Sequence, residues 1–186
     1  MPDAGSHPSP RRFILPTAAV SAAALAVVCW TAFATTQRGI ENVKNLFGGI
    51  EGIVAVVEPE RVEAYRVAPL HKIPKGETPE TVGGAGILSG PVVVDEATAR
   101  DLAEILKSAD TYRWDSAKAC KFDPGVAIRF IGKSSTTDVL FCFHCEELQV
   151  WRDGKRVGGE DFDADRKRIA AIMKRIFPDD EGIQGL

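Results

Sequence analysis

This sequence of 186 residues lacks the excess of positive charge that marks nucleic-acid-binding proteins. Its 23 lysines and arginines are outnumbered by 26 aspartates and glutamates, which leaves a formal net charge of −3. The densest basic group, at 166–168 and 174–175, is interleaved with Asp163 and Asp165, a pattern typical of a solvated helix face. We therefore expect no nucleic-acid partner.

Short catalytic motifs are also missing. The sequence contains no glycine-rich phosphate loop, no nucleophile elbow, no H-E-x-x-H metal motif and no internal repeat. Two acidic pairs, Asp161/Asp163 and Asp179/Asp180, are explained more simply by capping and solvation than by catalysis. With 45% apolar and 26% charged residues, the composition is that of a globular protein. These absences favour a protein that is not an enzyme.

One long stretch has no charge at all. Phe13–Ala34 covers 22 positions, within the ~17–25 residues that cross a bilayer as a helix. Arg11 and Arg12 precede it, which favours a cytoplasmic N-terminus and export of the remainder. Two interpretations stay open: a signal peptide cut after Ala34 at an A-x-A site, or a single-pass anchor, which the length favours. Both predict contact with the membrane through 13–34 and an extracytoplasmic domain.

The rest of the chain is expected to divide around this segment. A proline-containing stretch at 1–12 predicts a disordered N-terminus. At 35–59, apolar residues at helical spacing predict a juxtamembrane linker that prolongs the membrane helix or lies on the bilayer. The soluble domain is then expected to cover 60–186.

Apolar periodicity in the soluble domain predicts both strands and helices. The strands are expected at 61–67, 126–131, 138–145 and 148–152, with a short β-like run at 92–94 inside 87–94. The helices are expected at 96–107 and 163–176. Asp95 is a good N-cap, and Asp153-Gly154 fits a two-residue hairpin turn. Prolines and glycines predict a long irregular loop at 68–86. The expected fold is α+β: an antiparallel β-meander packed against two helices, preceded by one N-terminal transmembrane or signal helix.

Three cysteines, Cys120, Cys142 and Cys145, follow the apolar segment, which itself contains Cys29. Export to an oxidising compartment makes a disulfide the default for two of the three. If the strand runs straight, Cys142 and Cys145 point to opposite faces and lie ~10 Å apart, beyond the ~7 Å that a bridge allows. Cys120 then bonds to Cys142 or to Cys145. A Cys142–Cys145 bridge requires a turn at His144, and buried free thiols are a further alternative.

The same cysteines permit two other chemistries. A zinc site built from the three thiolates needs a histidine as its fourth ligand. His144 is poorly placed between two flanking cysteines, so His71 would be required. A redox site would use Cys142 as the nucleophile and Cys145 as the resolving thiol, although no helix follows to lower the thiol pKa. Zinc is the one cofactor that the sequence leaves open.

Three motifs carry a resemblance: C-x-F-x-P-G-V-A-x-R-F from Cys120, D-V-L-x-C-F-x-C-x-x-L from Asp138, and F-P-D-D from Phe177. Over 88–186 the sequence resembles a group of small bacterial proteins, many of them exported, which have no assigned activity. The resemblance implies only that the three cysteines belong together. With the apolar segment at 13–34, the expected location is the bacterial cell envelope. The expected function is a non-enzymatic binding or envelope-associated module with a cysteine-stabilised sheet. The alternative is a thiol-redox or zinc-binding protein.

Overall fold

An antiparallel sheet of seven strands forms the centre of the part of the chain that the computed structural model describes, residues 30, 34–74, 78–114, 116 and 118–186. The strands are β1 (Arg61–Ala68), β2 (Thr81–Val82), β3 (Ala85–Val93), β4 (Val126–Ile131), β5 (Thr136–Cys142), β6 (Glu147–Arg152) and β7 (Lys155–Asp161). Their order across the sheet is β2-β3-β1-β4-β5-β6-β7, and every neighbouring pair is antiparallel. From β4 to β6 this is the expected meander, and β7 extends it by one strand.

Five α-helices accompany the sheet in these residues: α1 (34–46), α2 (Ile50–Val57), α3 (Glu96–Leu106), α4 (Arg166–Ile176) and α5 (Glu181–Gln184). The Asp95 side chain accepts a hydrogen bond from the Thr98 amide at 2.9 Å and so caps α3, as the sequence predicts. The fold is therefore mixed helix and sheet. The chain divides into two compact units, Met1–Gln37 and Arg38–Leu186, and the sheet belongs to the second.

The main core lies on one face of the sheet. Alternate strand residues, such as Ile128 and Phe130 on β4, are fully buried in one cluster with the apolar stripes of the helices. On α3 and α4 these stripes include Leu102, Leu106, Ile169 and Met173, all at 0% exposure. Each such side chain contributes about 1.5–3 kcal/mol by leaving water, so the two helices are held to the sheet mainly by this layer.

The opposite face has a smaller core with a polar centre. Tyr65, Val67, Val82, Ala85, Ala127 and Leu140 form this second cluster. Beside it, Arg129 binds the buried Asp138 through two hydrogen bonds of 2.7 and 2.9 Å. The Tyr65 hydroxyl donates to Glu63 at 2.6 Å. Burial, and then the hydrogen bond to Glu63, raises the pKa of Tyr65 to about 12.

Residues 35–59, expected as a juxtamembrane linker, instead contribute to the fold. Val43, Leu46 and Phe47 are 3%, 5% and 1% exposed and belong to the main core, together with Val56 of α2. The apolar residues lie on helices, as their spacing predicts, but from Arg38 onward they face the sheet. The compact unit accordingly begins at Arg38 and not near residue 60.

The 68–86 segment also differs from its predicted irregular loop. It contains a 3₁₀ turn at Leu70–Lys72 and the β2–β3 hairpin, which begins at Thr81. Gly83 and Gly84 have φ values of 53° and 74° in the hairpin turn, where a Cβ would run into Leu140 or Trp151. The two glycines thus let the hairpin lie against the second core.

The structure also differs from the predicted strands and helices in three smaller ways. The strand expected over 138–145 ends at Cys142, and 143–146 form a turn. The helix expected from residue 163 starts at Arg166, after a 3₁₀ turn at Asp163–Asp165. Strand β7 and the short helix α5 were not predicted.

The described residues contain no helix long and apolar enough to cross a membrane. Of the predicted segment Phe13–Ala34, they include Trp30 and Ala34, both helical and exposed. The rest of that segment and the N-terminal stretch 1–12 lie outside them.

Candidate functional site

A disulfide joins Cys120 and Cys145, with sulfur atoms 2.02 Å apart and Cα atoms 5.8 Å apart. The turn at 143–146, in which Glu146 has φ 58°, is what makes this pairing possible. In a straight strand Cys145 would continue along the sheet, whereas the turn places it beside the chain at Cys120. Of the pairings that the sequence left open, the structure has the one between these two residues.

Cys142 is a free thiol at the end of β5. It is 0% exposed, and its sulfur accepts a hydrogen bond from the Cys145 amide at 3.3 Å. The three cysteines are therefore neighbours, as the resemblance implies. Cys120 and Cys145 are bonded to each other, and Cys142 is a buried free thiol.

The two candidate histidines are placed differently from each other. His144 lies in the turn and is exposed, and His71 is exposed on the 3₁₀ turn, where its Nε2 lies 3.1 Å from Lys121 Nζ. Among the residues described, no three His, Cys, Asp or Glu side chains are grouped so that they could hold a metal ion. Because Cys120 and Cys145 are bonded, a zinc site using them would first need the disulfide to be reduced.

Lys118, which the sequence analysis did not single out, connects the disulfide region to the end of β7. Its Nζ donates to the Cys145 carbonyl and to Asp163, both at 2.8 Å, and lies 3.6 and 3.7 Å from Glu146 and Asp161. Burial by itself lowers the pKa of Lys118. The hydrogen bond to Asp163 and the surrounding carboxylates outweigh that effect, so the net shift is upward. The lysine is held as a cation at this junction.

Behind Lys118, two acidic residues face each other across the sheet. Glu147 of β6 and Asp161 of β7 are register partners. Burial, and then the charge of Asp161, raises the pKa of Glu147 above its usual range. One buried oxygen on each carboxylate, Oε2 of Glu147 and Oδ2 of Asp161, has no hydrogen-bond partner. Two carboxyl groups that repel each other when both are ionised therefore lie close to the disulfide.

The described residues 111–114, 116 and 118–120, which we call the strap, are tied down at several points. Thr111 Oγ1 donates to the Ile105 carbonyl at 2.6 Å, and the Arg113 amide donates to the Asp161 carbonyl at 3.1 Å. Lys118 and Cys120 provide the anchors at the other end. Regular secondary structure contributes little here, so these contacts fix the path of the strap.

The strap borders a polar groove of about 500 Å³. Its lining comes from α1, the strap and β7: Arg38, Asn42, Asn45, Leu46, Trp114, Gly158, Gly159 and Glu160. The volume falls within the ~300–1,000 Å³ typical of small-molecule sites. No sequence pattern predicts this groove, because its described residues come from three distant segments.

Gly158 sets how closely α1 approaches β7. A Cβ at this position would run into the backbone carbonyl of Leu46, the last buried residue of α1. A residue with a side chain would therefore push the helix away from the strand. The absence of a side chain keeps the α1 side of the groove in place.

No family model, curated protein or solved structure matches this chain. The function must therefore be argued from the geometry, and the resemblance to exported bacterial proteins stays a prediction.

Proposed function

We propose that this chain is a non-enzymatic binding module of the bacterial cell envelope, exported or membrane-anchored through 13–34, whose ligand site is the polar groove beside the strap. The observation that supports it best is the anchoring of the strap. The Cys120–Cys145 disulfide and Lys118 hold one end, and Trp114 of the same strap lines the groove. A preorganised surface of this kind loses little conformational entropy when it binds.

Two features support the location. Disulfides persist in oxidising compartments such as the bacterial periplasm and the cell surface. The uncharged Phe13–Ala34 segment, preceded by Arg11 and Arg12, is the signal that would take the domain there.

Topology reporters fused after Leu186 test the location. Alkaline phosphatase, which needs disulfides to be active, is expected to be active in this fusion, and a fluorescent protein that matures in the cytosol is expected to be dark. A fluorescent fusion with an inactive phosphatase would contradict export. A control with the apolar segment deleted should reverse both signals.

One observation favours a second function, thiol–disulfide exchange. The Cys145 amide hydrogen-bonds the Cys142 sulfur at 3.3 Å, which places a thiol next to a bonded cysteine. In the exchange, the Cys142 thiolate would attack the Cys145 sulfur, form a Cys142–Cys145 bond and expel Cys120 as a thiolate. The variant Cys120→Ser, oxidised with glutathione disulfide, should then contain a Cys142–Cys145 bond by mass mapping. Two free thiols in that variant would exclude the exchange, and metal analysis of the reduced wild type tests the zinc alternative.

A further inference from the structure

Helix α1 presents a polar stripe to the groove. Arg38, Asn42 and Asn45 are spaced i, i+4 and i+7, so they share one side of the helix, and all three line the groove. Within the described part of the chain, none of them forms a side-chain hydrogen bond or an ion pair. The fold therefore leaves the hydrogen-bonding capacity of two amides and one guanidinium directed at the groove.

Trp114 supplies an apolar surface beside this stripe. Its Nε1 donates to the Ala109 carbonyl at 3.0 Å, and its ring packs against Tyr112 with centroids 4.9 Å apart. Tyr112 is itself held by a hydrogen bond of 2.5 Å to the Leu106 carbonyl. Because the indole N–H is already used, the half-buried ring offers a ligand its carbon surface in a fixed orientation.

The β7 side of the groove is formed by two glycines and a glutamate, so it has little side-chain bulk and is polar. Gly158 and Gly159 have no side chains to fill it, and Gly159 is exposed on the terminal strand of the sheet. Glu160 adds a carboxylate at the same rim. Among the described lining residues there is one guanidinium and one carboxylate, so the formal charges of this set cancel.

The chemistry of this lining selects a type of ligand. Each asparagine amide both donates and accepts, and the guanidinium donates. A ligand with neighbouring hydroxyl groups can form hydrogen bonds with all of these side chains, since each hydroxyl both donates and accepts. A sugar ring also has a C–H face that can pack on the Trp114 ring, and a neutral sugar matches the balanced charge. Resting on the proposed binding function, we propose that the groove binds a neutral saccharide.

Isothermal titration calorimetry of the full-length protein in detergent tests this. The probes are maltotriose, cellotriose and N,N′,N″-triacetylchitotriose. We expect saturable binding of at least one of them, weakened at least tenfold by Asn42→Ala/Asn45→Ala and by Trp114→Ala. Lys133→Ala, on the exposed β4–β5 turn, is the control and should bind as the wild type does. Circular dichroism checks that the double variant is folded, which we expect because alanine favours helix.

The outcomes separate the ligand class from the binding function. No saturable binding of any of the three trisaccharides, or binding that Asn42→Ala/Asn45→Ala leaves unchanged, would overturn the saccharide proposal. Citrate and trialanine serve as an anionic and a peptide probe. Binding of either one, lost in the double variant while all sugars fail, would overturn the saccharide class and leave the binding module standing. A cytosolic reporter result would instead remove the export proposal, whatever the sugars do.

Discussion

The ammonium group of Lys118 lies 2.8 Å from a carboxylate oxygen of Asp163, at the junction between β7 and α4. Two residues later, Cys120 is bonded to Cys145 in the turn that follows β5. These two links anchor the strap to the open end of the β6–β7 hairpin, where the start of β6 and the end of β7 lie side by side. They also explain how a segment with little regular structure can keep Trp114 in one place.

Removing the disulfide should destabilise the domain. The double variant Cys120→Ser/Cys145→Ser opens a loop with a sequence separation of 25 residues, and chain entropy predicts a loss of about 3.5 kcal/mol in the free energy of unfolding. Urea unfolding with and without dithiothreitol measures it. The wild type should lose stability in reductant and the double variant should not. Cys142→Ala is the control and should remain sensitive to reductant, so a wild type that ignores reductant would contradict the assigned bond.

Breaking the Arg129–Asp138 pair should be costly. Asp138 has a side chain 4% exposed and is the bidentate partner of Arg129, so Asp138→Ala leaves a half-buried guanidinium without its carboxylate. We expect a loss of about 3 kcal/mol in thermal or urea unfolding. The matched control is Glu96→Ala, which removes an ion pair whose side chains are 66% and 89% exposed and should change stability by less than about 1 kcal/mol. Equal effects of the two substitutions would refute the structural role given to Asp138.

Glu147 should contribute less to the stability of the domain at neutral pH than at acid pH. Its pKa is raised in the folded state, so the folded protein holds this proton more tightly than the unfolded chain does. The contribution to stability is fully present below the ordinary value of 4.5 and is lost as the pH rises through the raised pKa of the folded state. Glu147→Gln cannot ionise. It should therefore be more stable than the wild type at pH 7, with the difference shrinking toward pH 4. Urea unfolding over pH 3.5–7.5 measures this, and a variant less stable than the wild type at pH 7 would contradict it. Glu104→Gln on α3 controls for the loss of one exposed charge.

A side chain at residue 158 should separate α1 from the sheet. In Gly158→Ala the added Cβ meets the Leu46 carbonyl, and overpacking of this kind costs about 1–3 kcal/mol. The same change should reshape the groove and weaken any ligand bound there. At Gly185 an added Cβ has no neighbour nearer than 3.5 Å, so Gly185→Ala is the control and should be close to neutral. If Gly158→Ala proves equally neutral, α1 does not approach β7 in the way described.

Local signals in the sequence were enough for several elements. Helix α3 follows from Asp95 as a cap and one apolar stripe, and β4 from the short apolar run Val126–Ile131. The Asp153-Gly154 turn was also predicted, and both residues have positive φ, 49° and 76°. In these cases, neighbouring residues alone carry the information.

The remaining features depend on tertiary structure. The stripe that includes Val43 and Phe47 has the spacing of any amphipathic helix, so the sequence could not show whether it faces lipid or a sheet. The choice of Cys145 as the partner of Cys120 depends on a turn that contains no glycine or proline, and adjacent Gly158 and Gly159 weakened the strand pattern of β7. The groove could not be predicted, because its parts meet only after folding.

The most direct test of this account is the state of the cysteines in protein recovered from cells. Iodoacetamide is added at lysis, so that free thiols are blocked before thiol–disulfide exchange can occur. The protein is then digested without reduction, and its peptides are mapped by mass spectrometry. We predict a peptide pair linked through Cys120 and Cys145, with Cys142 recovered as a thiol that is blocked only after unfolding. Recovery of Cys120 and Cys145 as blocked thiols would contradict both the oxidising location and the anchored strap.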